Sequence, residues 1–206
     1  MYKIAFVNGG AGRMICSIPA LEKFIQKNPD SYVVTEGGLD FIWGNKILQD
    51  RTFDSNTKGL FENIIKNGEI ITLEPYRDYD YYNQRLSIAQ TFDKLLNGSY
   101  DDADKYKIKL TLNKEEEITG VAVLKAVKEL HGKKKTILIQ PFGRGAQVIG
   151  TNQEQRATDV MDEESRSLSG AAYLSLAKKL ALKYNLIFFG EPQFQLAQDN
   201  FAVSYT

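Results

Sequence analysis

Apolar residues follow two rhythms along this chain. Short unbroken apolar runs alternate with stretches in which apolar side chains return every three or four positions. Tyr2 to Val7 carries Ile4, Phe6 and Val7 and predicts a strand buried on both faces. Arg13 to Gln26 repeats Met14, Ile15, Ile18, Leu21, Phe24 and Ile25 at helical spacing. Pro19 inside that pattern predicts a cap or kink near the first turns. Ser31 to Thr35 predicts a second strand, after the turn Asn28-Pro29-Asp30.

The middle of the chain is less regular. A short helix is expected over Leu39 to Asn45, and another over Lys58 to Lys66, ended by Asn67-Gly68. Glu69 to Leu73 predicts a strand. The tyrosine-dense stretch Tyr76 to Tyr82 leads into a helix reaching about Leu96, stopped by Asn97-Gly98-Ser99. Lys107 to Leu112 alternates apolar and polar residues as a half-exposed strand would. Asn113 suits the N-cap of a helix over Glu115 to Leu130, with acids in the first turn and Lys128 and His131 near the end. Thr136 to Gln140 and Leu186 to Phe189 predict buried strands, and Ser169 to Lys183 an amphipathic helix between them. Gln147 to Ser165 is polar and acidic and predicts a loop.

Strands alternating with helices argue for parallel βαβ units. The fold class expected is α/β, a Rossmann-like parallel sheet flanked by helices, in two blocks. Residues 1–132 form the first, and residues 133–206 begin a second Rossmann-like block. The second holds only two expected strands, too few for a sheet of its own, so either they extend the first sheet or the block is cut short, and the second is expected.

Composition narrows the partners. Lys+Arg and Asp+Glu are both 26, so no basic excess signals a nucleic-acid binder. Lys133-Lys134-Lys135 reads as a solvated turn before a strand. With one Cys and one His, neither a disulfide framework nor a His/Cys metal cluster is possible. Cys16 fits a small side chain buried in a helix, and His131 a cation at a helix C-terminus. There is no leader pattern and no apolar run long enough to span a bilayer, so a cytoplasmic protein is expected.

Three stretches carry candidate chemistry. Asn8-Gly9-Gly10-Ala11-Gly12 follows the first strand, where backbone N–H groups meet ligands at the carboxyl edge of a parallel sheet. Gly10 and Gly12 give G-x-G, but Ile15 stands where a dinucleotide fingerprint needs its third glycine, and no Walker motif is present. The second stretch joins Pro141-Phe142-Gly143-Arg144-Gly145 with Ser165-Arg166-Ser167. Two guanidiniums near a Gly-containing turn and a helix N-terminus suit a diphosphate. Gly190-Glu191-Pro192 ends the next strand, with a carboxylate able to accept from ribose hydroxyls. The third is the aromatic stretch with Tyr76 and Tyr79, whose faces suit a sugar ring.

In order and spacing these residues resemble the family 9 glycosyltransferases, the lipopolysaccharide heptosyltransferase type, which have the two-domain GT-B fold. The resemblance rests on Ile4 to Gly12 followed by Ser17-Ile18-Pro19-Ala20-Leu21. It continues through Ile137 to Gly143, Ser165 to Ser169, and Leu186 to Pro192. It implies a GT-B-like N-terminal domain and the start of a donor-side domain. It also implies transfer of a sugar from a nucleotide diphosphate donor to an acceptor hydroxyl, with no cofactor and no obligatory metal. The acceptor would lie against Asn8, Gly9, Gly10 and Gly12, with Tyr76 and Tyr79 nearby. The donor would lie against Gly143, Arg144, Arg166, Ser167, Gly190 and Glu191.

Two departures stand out. The family places an aspartate after the last glycine of the first turn, as base toward the acceptor; here Arg13 stands there, and a guanidinium cannot be that base. Arg13 instead suits an anionic acceptor or a phosphate, and Glu36, at the end of the second strand, is the substitute base. The family's later donor-binding turn with its histidine is missing. A non-catalytic nucleotide or sugar-binding module of the same fold, and a Rossmann-type dinucleotide enzyme, remain open alternatives.

Overall fold

Parallel pairing dominates. The structure is a computed structural model that describes residues 1–143, 146–148, 160–162, 167–189 and 202–205. Contacts divide the chain into two units, Met1–Asn113 and Lys114–Thr206. The sequence reading sets the boundary at 132; the contacts group the helix before it with the second unit.

In the first unit, β1 (Tyr2–Val7), β2 (Tyr32–Thr35), β3 (Thr52–Asp54) and β4 (Gly68–Thr72) form one sheet in the order β3-β2-β1-β4. Every neighbouring pair is parallel, with Ile4 beside Tyr32 and Ile70, and Val33 beside Thr52. Because β1 is central, its side chains are covered on both faces, which its unbroken apolar run anticipates. On one face α1 (Ala11–Lys27) and α4 (Ile88–Asn97) bury Met14, Ile18, Leu21, Phe24 and Phe92 against Ala5, Val7 and Val33. On the other, α2 (Leu60–Asn63) sets Leu60 against Ile4 and Val34. Each such large apolar side chain contributes roughly 1.5–3 kcal/mol.

Helix α1 ends at Asn28, whose backbone N–H and side-chain amide both donate to the Phe24 carbonyl at 2.9 Å. It runs continuously through Pro19. Cys16 is part-buried on it, and burial pushes its thiol pKa up, as for an inert thiol. Helix α4 starts sharply because Ser87 and Gln90 form a capping box, and it stops at Gly98 in the left-handed region.

The second unit holds α5 (Lys114–His131), β5 (Lys135–Ile139), β6 (Ala146–Val148), β7 (Val160–Asp162), α6 (Gly170–Ala181), β8 (Tyr184–Phe189) and β9 (Ala202–Tyr205). Strands β5, β8 and β9 form a parallel sheet in that order. Phe142, Tyr173 and Phe188 stack edge-on or tilted at 5.7–6.2 Å between centroids, forming the core under α6.

Several expectations are corrected. Lys107 to Leu112 is no strand: its alternation is real, but among the described residues no strand pairs with it, and Ile108, Leu110 and Leu112 stay exposed. The polar loop over Gln147 to Ser165 includes β6 and β7 residues paired antiparallel, a match too short to show periodicity. The second sheet has a third strand, β9, and the first gains β3. The helices expected over Leu39 to Asn45 and Lys58 to Lys66 shrink to 3-10 turns and the short α2. The helix expected from the tyrosine stretch is broken into α3 (Tyr79–Tyr82) and α4, with Gln84 between them at φ +57°.

Candidate functional site

The carboxyl edge of the first sheet is built around the turn after β1. Beyond the strands the ladder continues on both sides: Glu36 N–H donates to Val7 O at 3.1 Å, and Leu73 N–H to Phe6 O at 3.2 Å. The Gly-rich turn is therefore flanked by Glu36 on one side and by Leu73 and Glu74 on the other.

Gly9 sits at φ +96°, and a Cβ there would come within 2.7 Å of Arg13 Cδ. Both the backbone conformation and the close approach demand glycine. The stem of Arg13 thus lies across the turn, and its head reaches β4's end. Nη2 donates to Leu73 O at 2.7 Å, and Nη1 faces both Glu74 carboxylate oxygens at 3.2 and 3.3 Å. The guanidinium also covers the Tyr76 ring at 5.1 Å, and Tyr76 meets Tyr81 edge-on. Gly10 opens α1 without a side-chain cap and no acid follows in the first turn, leaving the helix's positive end unneutralised by its own sequence. The Asn8 side-chain oxygen is buried without a hydrogen-bond partner.

On the other flank Glu36 is exposed. Behind it Gly37 and Gly38 both take the left-handed region, and a Cβ on Gly38 would strike Met14 Cγ at 2.9 Å, so this turn packs on α1. Thr35 Oγ1 donates to Gly37 O, and Asp54 accepts from Gly37 N–H. Hydrogen bonds from the backbone N–H groups of Asn56 and Gly37 hold the Asp54 carboxyl below its ordinary pKa.

Asn8, Gly9, Gly10, Gly12, Arg13 and Tyr76 thus gather at one turn, with Glu36 across β1. Tyr79 belongs to α3, largely exposed, beneath the Arg85 guanidinium at 5.3 Å. Below it Lys94 bonds Asp78 at 2.8 Å and Asp80 at 2.8 Å. That cation holds Asp78 below its ordinary pKa, and the two carboxylates, Asp78 foremost, raise Lys94. Glu74 was missed from the sequence. Its signal was a charged residue directly after a strand, but that β4 lies beside β1 is a non-local fact.

At the carboxyl edge of β5, Gly143 N–H donates to Ser167 Oγ at 2.7 Å and Leu168 N–H to Pro141 O at 2.8 Å. Ser169 caps α6, accepting from Ala172 N–H at 3.2 Å. Gly143 and Ser167 therefore meet beside an acid-free helix start. Arg144, Arg166, Gly190 and Glu191 lie outside the described residues. Among the described residues no group of three His, Cys, Asp or Glu could hold a metal ion, and no helix is long and apolar enough to cross a membrane.

The fold defines the class: a mixed α/β protein with parallel sheets flanked by helices, an architecture of the GT-B-like kind. Among solved structures it is similar to the crystal structure of the glycosyl transferase family 9 from Veillonella parvula DSM 2008. That likeness covers 98% of this chain and 70% of the other, with a TM-score of 0.53 and 14% identity. No family model matches the chain, and no curated protein matches it in sequence.

Proposed function

We propose that this chain is a glycosyltransferase-like protein that transfers a sugar from a nucleoside diphosphate donor to an acceptor hydroxyl. The observation that carries the reading is the fold likeness to a family 9 glycosyltransferase over nearly the whole chain. The Gly-rich turn, set at the carboxyl edge of a parallel sheet where such folds bind ligands, agrees with it.

In this reading the acceptor lies along Gly9 to Gly12, with the rings of Tyr76 and Tyr79 offering apolar faces. Glu36 is the base. As the acceptor oxygen bonds to the anomeric carbon, its proton passes to the Glu36 carboxylate. The bond from that carbon to the diphosphate breaks, and the diphosphate leaves with the electron pair. Arg144 and Arg166, with the start of α6 beside Gly143 and Ser167, stabilise the charge that develops on it. Gly190 and Glu191 hold the nucleoside. Arg13 is a positioning residue, because its charge is already matched by Glu74. It fixes the loop that carries Tyr76.

Incubation with UDP-, ADP- and GDP-hexoses and a panel of hydroxyl acceptors, read by mass spectrometry, tests this. Glycosylated acceptor from the wild type and its loss in Glu36→Gln support the assignment; full transfer by Glu36→Gln removes Glu36 from the role. The occupation of the base position by a paired arginine favours a second reading, a binding module without turnover. That reading holds if sugar nucleotides bind but no acceptor is modified.

A further inference from the structure

Helix α5 is thinly packed for its length. Of its 18 residues only Val127 is buried. Ile118, Val121 and Leu124 are 60%, 67% and 42% exposed. Spaced three apart, these side chains form one stripe, and Val121 and Leu124 line a shallow groove with Lys125, Lys128, Glu129 and Lys133. In proteins most of a helix's stability comes from packing an apolar face rather than from propensity. Its first half has no buried residue to hold it.

Charge says what covers the stripe. Glu115, Glu116 and Glu117 occupy the first turn, and Lys125 and Lys128 lie further along. Within the chain Lys125 reaches Glu129 at 3.9 Å, a loose and exposed pair that contributes little. A helix acidic at its start and basic toward its end is complementary to an inverted copy of itself.

We propose that α5 is an interaction surface for α5 of a second copy of this chain, packed antiparallel about a twofold axis at Val121. That register sets Val121 on Val121, and Ile118 on Leu124 of the second copy. It places Glu117 opposite Lys125. Lys128 faces Lys114, with Glu115 one residue away and Glu117 on the same half of the helix, so the acidic first turn as a whole outweighs that lysine. Each contact away from the axis occurs twice because the interface is isologous. Opposed helix dipoles add a small attraction. One helix pair of about 22 Å overlap is a small interface, so the dimer is weak and concentration-dependent.

Sedimentation equilibrium on the whole chain, from micromolar to millimolar protein, tests this. The weight-average mass rises from monomer toward dimer; a constant monomer mass over the range overturns the proposal. Val121→Asp puts two carboxylates at the axis and abolishes the rise, with circular dichroism confirming the fold. A dimer that survives Val121→Asp lies elsewhere and also overturns it. Glu117→Lys weakens association several-fold, and adding Lys125→Glu restores it. Failure of that restoration contradicts the antiparallel register.

Discussion

Arg13 and Glu74, far apart in sequence, meet with Nη1 3.2 Å from one carboxylate oxygen and 3.3 Å from the other, tying the first turn of α1 to the chain leaving β4. The Arg13 side chain is 11% exposed and Glu74's 33%, so the pair is sheltered from full screening. Removing the carboxylate leaves a mostly buried guanidinium with Leu73 O and the Tyr76 ring. Glu74→Ala is expected to cost about 1–3 kcal/mol by urea denaturation, and Glu74→Gln less, since it keeps an acceptor. A double-mutant cycle with Arg13→Ala returns a coupling energy well above zero.

Gly9 is the glycine on which the turn depends. Gly9→Ala forces a Cβ into the left-handed region and against the Arg13 stem, and is expected to cost roughly 1–3 kcal/mol. Arg13→Ala in the same chain relieves the contact but leaves the backbone strain. Thermal unfolding of the three variants separates the two causes: partial, incomplete rescue is the expected result.

Alkaline stability centres on Asp93, buried on α4, which accepts from Lys23 Nζ at 2.8 Å, Asn97 Nδ2 at 2.8 Å and Tyr106 Oη at 2.7 Å. The hydrogen bond to Asp93 raises the Lys23 pKa, and burial pushes Tyr106 up to about 12. Groups raised in the folded state give full stability below their unfolded pKa and lose it as pH rises through the folded value. The urea midpoint is therefore expected to fall between about pH 10 and pH 12. Asp93→Asn is expected to shrink Lys23's part of that fall, leaving what Asp101 contributes, and tyrosinate absorbance is expected to show Tyr106 and Tyr173 titrating late.

On the acid side Asp78, like Asp54, is a carboxyl held below its ordinary pKa. Lys94 and the N–H groups of Asp80 and Tyr81 hold its pKa below the ordinary value. A depressed carboxylate gives stability that is present above its unfolded pKa and lost as pH falls through the folded one. The wild type is expected to lose stability below about pH 4, and Asp78→Asn to show a shallower loss. Thermal melts at stepped pH check the difference in slope.

What could be read in advance divides by range. Strands β1, β2, β5 and β8 and helices α1, α5 and α6 are long enough to show their period, so one-dimensional pattern sufficed. Strands β3, β6 and β7 have three residues each, too few for any periodicity. Lys107 to Leu112 has a strand's alternation, but alternation states only what a residue run could do and not whether a partner strand exists. The Gly-rich turn was legible because Gly9 and Gly10 follow a buried run directly. Its tether was not, because whether Arg13 meets Glu74 depends on β4 lying next to β1.

A sugar-nucleotide site on this fold is tested most directly by titration calorimetry of the whole chain with UDP-, ADP- and GDP-sugars and with NAD. Saturable binding of a sugar nucleotide, weakened by Arg166→Ala, is the predicted result. Binding of NAD with no heat from any sugar nucleotide would contradict it.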